Sequence, residues 1–340
     1  MIILNGDCDA RQVAGHALHT ISDKISIKKD EVEIDCFLSA YAGIASCPDD
    51  TVDAETLMKY SDIAMLHATM SKKNRILFYE PQMEEKLKRQ VEVEKIIKKA
   101  LSNNWFYLVF QPQFSTQEKK LRGFEALLRL RDPSGNNLSP AEFIPAAEKN
   151  DLILEITDWV LLNALKTFSK LVLGTDLTIS INVSPKNMES AQFISKLKNV
   201  LDETGFPAKN LEVEITEYCL LQSFDQTIEN IKALRELGVQ VALDDFGTGY
   251  SSLSYLEKLP INLLKIDKSL VDDIESNVKS QPFVSAVIYM GHLMGCEVIC
   301  EGVESEGQLR LLRDNKSDFI QGYIWGKPME FDKARELLDA

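Results

Sequence analysis

Val239-Gln-Val-Ala-Leu-Asp244 is a short, β-branched apolar run that closes on an acid, and a second acid, Asp245, follows at once. A run of this length and composition reads as a buried strand. The pattern repeats outward in both directions. Toward the N-terminus stand Phe106-Tyr-Leu-Val-Phe-Gln111, Gly123-Phe-Glu-Ala-Leu-Leu128, Leu177-Thr-Ile-Ser-Ile-Asn-Val183 and Leu211-Glu-Val-Glu-Ile-Thr216. Toward the C-terminus follow Leu263-Leu-Lys-Ile-Asp267, Glu297-Val-Ile-Cys-Glu301 and Asp318-Phe-Ile-Gln321. Helix-like stretches such as 152–173, 224–237 and 282–294 lie between them. Strands alternating with helices imply a mostly parallel sheet. Eight such runs in about 235 residues have the size of a (β/α)8 barrel. Only a short Gly-containing turn joins the first two runs, with no room for a crossover helix. The first strand is therefore expected to run antiparallel.

Residues 1–80 read as a small α/β unit. Helical spacing is expected from Asp9 to about Ser22, a strand over Ile34–Ile44, a helix from Asp53 and a closing strand over Arg75–Tyr79. A charged amphipathic helix, with Leu87, Val91, Ile96 and Ile97 on its apolar side, runs from Gln82 to Leu101. The expected organisation is an N-terminal segment at 1–80, a linker helix at 81–102 and a barrel at 103–340.

The 340 residues carry 38 Lys+Arg against 52 Asp+Glu, a formal net charge of -14. This acidic balance argues against a nucleic-acid polymer as partner, which calls for a basic surface. It leaves room for an anionic ligand if cations supply local positive charge. The apolar stretches fall far short of the ~20 residues that span a bilayer, so no membrane segment is expected in this chain. The cysteines (Cys8, Cys36, Cys47, Cys219, Cys296, Cys300) are scattered without a C-x-x-C pair, which suits a reducing cytoplasm.

The strand ends hold the chemistry. They read Glu125, Asn182, Glu214, Asp244-Asp245, Lys265, Glu301 and Gln321, and in a barrel such ends meet on one face. Each residue alone has a plainer explanation. An acid before Phe-Gly-Thr-Gly caps a turn; Glu214, with Glu212 alternating beside it, lies on a solvated strand face; Lys265 pairs with a nearby acid. Seven in succession outweigh those explanations. Carboxylates and an amide are hard oxygen donors that suit Mg²⁺ or Mn²⁺. The four histidines, His16, His19, His67 and His292, fall outside the strand ends, which disfavours zinc. An adjacent acid pair can bridge two ions, the arrangement used for attack on a phosphoryl centre.

At these positions the chain resembles the EAL-domain family, phosphodiesterases that hydrolyse the bacterial second messenger cyclic di-GMP to linear pGpG. The likeness rests on Glu125-Ala-Leu-Leu-Arg129, Asn182-Val-Ser184, Glu214-Ile-Thr-Glu217 and Leu243-Asp-Asp-Phe-Gly-Thr-Gly-Tyr-Ser-Ser-Leu253. It continues in Lys265-Ile-Asp267, Glu301-Gly-Val-Glu304 and Gln321-Gly-Tyr323. The resemblance implies a TIM-like barrel with an antiparallel first strand. It implies Glu125, Asn182, Glu214, Asp244 and Asp245 as ligands of two Mg²⁺ or Mn²⁺ ions that activate water. Lys265 is implied as base or electrostatic partner, with Glu301 holding a metal-bound water or completing the shell and Gln321 orienting the nucleophile. Gln111, Leu128 and Arg129 are implied as substrate contacts, and Glu217 as the group that steadies the loop Asp245–Ser252. A homodimer is a further implication. A non-catalytic cyclic di-GMP receptor is the alternative, although such receptors usually lack several of the positions intact here. Asn187, Cys300 and Thr157 depart from the family pattern without touching a ligand position.

Ala42-Gly-Ile-Ala-Ser-Cys-Pro48, Tyr60-Ser-Asp-Ile-Ala-Met65 and Asn74-Arg75 resemble the C-terminal half of a GGDEF (diguanylate cyclase) domain. The signature itself is absent, so the resemblance implies a truncated remnant without cyclase activity.

Overall fold

Asp9 and Asp53 each start a helix by taking up its orphan N–H groups. The Asp9 carboxylate accepts from Arg11 at 2.9 Å and Gln12 at 3.2 Å, and α1 runs over Ala10–Ser22. Asp53 accepts from the Thr56 N–H at 2.8 Å at the head of α2, Ala54–Ser71. The structure, a computed structural model, describes residues 2–4, 6, 8–22, 25–29, 32–36, 38–71, 75–247 and 259–338. Contacts divide the chain into units Met1–Glu92 and Val93–Ala340.

In the first unit, β1 (Ile25–Lys29) and β2 (Val32–Cys36) form an antiparallel pair. β3 (Ala42–Ile44) pairs in parallel with β4 (Ile76–Phe78), and α2 makes the crossover. A Cβ on Gly43 would lie 2.0 Å from the Ser61 carbonyl, so only glycine lets α2 sit this close to β3. The single strand expected over Ile34–Ile44 is corrected to two. Val32–Cys36 follows an antiparallel partner and Ala42–Ile44 a parallel one, and one straight strand cannot serve both. β1 was not foreseen. Asn74 of the GGDEF-like motif lies outside the described residues. α3, Pro81–Asn103, places Met83 in the small core with Ala64 and Tyr79, and Val93, Ile97 and Ala100 in the larger core.

The second unit is the expected eight-stranded closed barrel. Its strands are β5 (Phe106–Ser115), β6 (Leu121–Arg131), β8 (Thr178–Asn182), β9 (Leu211–Thr216), β10 (Gln240–Phe246), β11 (Leu263–Ile266), β12 (Glu297–Cys300) and β13 (Phe319–Gln321). β7, Asn137–Leu138, only extends the end of β6. β6 and β8 to β13 pair in parallel around the ring. β5 closes it antiparallel to both β6 and β13. The turn between β5 and β6 is too short for a crossover, and closure leaves the ring without a free edge. Outside it pack helices including Leu152–Phe168, Phe224–Glu236 and Ser280–Leu293. Phe168 joins the two layers, 4.9 Å edge-on to Phe110 and 5.6 Å from Phe124 between ring centroids. No helix among the described residues is long and apolar enough to cross a membrane. Cys219, Cys296 and Cys300 are free and buried, and burial pushes the Cys300 thiol up to about 12.

Candidate active site

Parallel strands bring their C-terminal ends to one rim, and the strand alternation decides which side chains enter. Register sets Asn182 beside Glu214 and Gln111 beside Glu125. Asp244 ends the inward row of β10, and Lys265 rises from β11. Lys265, fully buried, gathers the acids around its ammonium. Its Nζ lies 2.6 Å from Glu301 Oε1, 2.8 Å from Glu214 Oε2, 3.2 Å from Asp244 Oδ1 and 3.8 Å from Glu125 Oε2. Two amides hold Glu125 from either side: Asn182 Nδ2 donates to Oε1 at 2.6 Å and Gln321 Nε2 to Oε2 at 2.5 Å. Gln321 Nε2 also donates to Gln111 Oε1 at 3.2 Å.

One cation among four acids leaves charge uncompensated. Burial works against the charge on Lys265, but Asp244, Glu125, Glu214 and Glu301 outweigh it and hold the ammonium well above its ordinary range. Burial, and then Glu125, push Glu214 well up. Asp244 is raised, burial again being the main cause, and burial lifts Glu301 to about 8. Glu125 goes the other way: burial raises it, yet Lys265 and the two donating amides bring it below the usual carboxylate range. Asp245 sits beside the cluster with left-handed backbone, φ 55°, its N–H on Asp244 Oδ1 at 2.9 Å. Its carboxyl is pushed up to about 6 by burial and by Asp244.

Among the described residues no three His, Cys, Asp or Glu side chains form a ready-made metal cage, because the acids lean on the lysine. The donor set nevertheless fits a divalent cation. Glu214 Oε1 is buried with no hydrogen-bond partner, and Glu301 Oε1 touches Lys265 without the angles of a hydrogen bond. The partnerless Glu214 oxygen is costly to bury unless a cation meets it. All donors are hard oxygens, the preference of Mg²⁺ or Mn²⁺.

The other expected site residues lie around this cluster. Glu217 heads the helix Glu217–Gln222, and its Oε1 accepts the Gly247 N–H at 3.0 Å. Residues 248–258 lie outside the described residues, so the expected role of Asp245–Ser252 beyond Gly247 falls there. Arg129 Nη1 donates to the Leu128 carbonyl at 2.8 Å. Leu128 alternates away from Glu125 and packs its side chain on the main core, leaving its backbone as the polar element.

A buried polar layer beneath the cluster escaped the sequence reading: Gln113, Arg122, Ser180 and Glu212. Arg122 pairs with Glu212, Nη2 to Oε2 at 2.5 Å, and Ser180 Oγ donates to Glu212 at 2.7 Å. Alternation was the available signal, since a Glu214 that faces the barrel interior takes Glu212 with it.

The EAL domain profile matches residues 94–328. The chain is 38% identical over 304 residues to the signaling protein YkoW of Bacillus subtilis, covering 88% of this chain and 38% of that protein. It is 32% identical over 331 residues to the cyclic di-GMP phosphodiesterase NbdA of Pseudomonas aeruginosa, covering 96% of this chain and 42% of that one. The chain thus spans less than half of either relative. The solved structure of the PaMucR phosphodiesterase in complex with c-di-GMP superposes with a TM-score of 0.69 at 31% identity, over 72% of this chain and 99% of that one. With barrel, strand-end residues and profile in agreement, the chain belongs to the EAL-domain family.

Proposed function

We propose that this chain hydrolyses cyclic di-GMP to linear pGpG, using two Mg²⁺ or Mn²⁺ ions held by Glu125, Asn182, Glu214, Asp244 and Asp245. The observation that carries this is the convergence of Glu125, Glu214, Asp244 and Glu301 on Lys265, with a buried oxygen of Glu214 left over. Phosphodiesterase relatives and the c-di-GMP complex of a similar fold support the substrate. Bound ions supply positive charge that lowers the pKa of an attacking water and offsets charge on the phosphodiester. Lys265, held charged by its four neighbours, acts as an electrostatic partner, stabilising negative charge that develops at phosphorus. Gln321 orients the nucleophile, Glu301 completes the shell, and Gln111, the Leu128 backbone and Arg129 recognise the nucleotide. A guanidinium suits phosphate oxygens. Glu217 steadies the loop after Asp245 through Gly247.

The same proposal takes residues 1–80 as a GGDEF-like remnant, 81–102 as a linker helix and 103–340 as the catalytic barrel, working as a cytoplasmic homodimer. The test incubates the chain with cyclic di-GMP and Mg²⁺ or Mn²⁺ beside Glu125→Ala. Linear product from the parent and none from the variant is expected. Tight binding without product, even with Mn²⁺, would replace hydrolysis by a receptor role.

A further inference from the structure

Four buried side chains lead from the floor of the barrel to the candidate cation site in one directed chain. Arg122 Nη1 donates to Gln113 Oε1 at 2.7 Å. Gln113 Nε2 donates to Gln321 Oε1 at 3.0 Å. Gln321 Nε2 donates to Glu125 Oε2 at 2.5 Å. Both ends have fixed polarity: a guanidinium only donates and a carboxylate only accepts. The two amides between them are satisfied in a single orientation. Turned round together, they would set an NH2 group against Arg122 and a carbonyl oxygen against Glu125.

Arg122 reaches this position through an irregularity in β6. Gln113 is opposite Gly123 and Phe114 opposite Leu121, so Arg122 is the extra residue of a bulge. A bulge re-aims the side chain it carries. Glu212 holds the guanidinium and itself accepts from Ser180 Oγ, and the guanidinium lies 4.8 Å over the Phe319 ring. Gln113 and Glu212 are wholly buried, so water does not compete for these bonds.

We propose that Arg122, acting through Gln113, fixes the amide orientation of Gln321 and thereby the seating of Glu125. Arg122 and Gln113 are positioning residues. This rests on the assignment of Glu125 and Gln321 to the cation site. Groups that orient a metal ligand in this way are typically worth about 10–100-fold in affinity or activity.

Gln113→Glu is the discriminating variant. Its carboxylate keeps the contact with Arg122, which holds it ionised, but it offers Gln321 only an acceptor. Gln321 then turns its NH2 toward residue 113 and its oxygen toward Glu125. In the metal-free protein the Gln321 side-chain amide resonance, assigned by its loss in Gln321→Ala, is expected to move. Mn²⁺ affinity by calorimetry is expected to fall about tenfold. In a Gln321→Ala background the same substitution is expected to change Mn²⁺ affinity by no more than about twofold, because the effect passes through Gln321. Gln113→Met, which severs the link without adding charge, gives a smaller loss and the same non-additivity. An unmoved Gln321 resonance, or equal losses in both backgrounds, would overturn the proposal. The resonance needs neither metal nor turnover, so a parent that failed to hydrolyse cyclic di-GMP would count against the function alone.

Discussion

Glu217 Oε1 accepts the Gly247 N–H at 3.0 Å, binding the head of one helix to the chain just past the acid pair. Gly247 has φ 99°, and a Cβ there would lie 2.4 Å from Leu270 Cδ1. The carboxylate thus grips a backbone that is itself sterically placed. Glu217→Ala is expected to lower Mn²⁺ affinity about tenfold by calorimetry, and Glu217→Gln, which retains an acceptor, to recover most of it. Unchanged affinity in the alanine variant would remove the loop-steadying role.

Lys265→Met leaves the four acids without their common cation. Removing one partner of a buried ion cluster costs roughly 3–5 kcal/mol. Urea unfolding in chelator is expected to show a loss of that order. Mn²⁺ is expected to raise the variant's melting temperature more than the parent's, since it replaces the missing charge. Equal Mn²⁺ shifts would argue that the acids do not face one site.

The metal-free protein is expected to lose stability as pH rises from about 5 to 8. Folding raises Glu301 from 4.5 to about 8 and Asp245 from 3.8 to about 6, burial being the main cause in both. Between those limits the folded chain holds protons the unfolded chain has released, so the slope of stability with pH is negative. Glu214 and Asp244, also raised, act with the same sign. Lys265, raised as a base, holds its contribution until far above this interval. Glu301→Gln should flatten the fall in melting temperature. Mn²⁺ displaces these protons, so the stabilisation it confers should grow over the same interval. A flat profile in chelator would contradict the crowding of acids.

Phe168→Ala is expected to cost about 3–5 kcal/mol, because the wholly buried ring also meets Phe331 at 5.3 Å and its removal leaves a cavity in the core. The urea midpoint should fall with an unchanged slope. A loss below about 1 kcal/mol would mean the layer collapses around the gap.

The barrel was legible because eight short apolar runs alternate with helical stretches and lead into polar strand ends. The rim cluster followed, since strand ends of a barrel can only converge. What lay beneath was hidden. Arg122 and Gln113 look like solvent-facing residues until a bulge and a closed ring turn them inward. Leu128 shares a motif with Glu125, yet pleating sends its side chain to the opposite face. Thr157 and Asn187 stood out separately as departures from the family pattern. In space they are one feature, Thr157 Oγ1 donating to Asn187 Oδ1 at 3.0 Å. A separation of thirty positions along the chain conceals such a pair from any periodicity.

Closure of the ring by the antiparallel pairing of β13 with β5 has a consequence for biosynthesis. Gln321 belongs to the last of the barrel's eight strands to emerge, and Glu125, which it grips, to the second of them. A chain on the ribosome therefore exposes an unpaired β5 margin until almost the whole barrel has been translated. Non-local pairing of this kind folds slowly and invites association with other nascent chains. The grip on Glu125 is completed in the same event that removes that hazard.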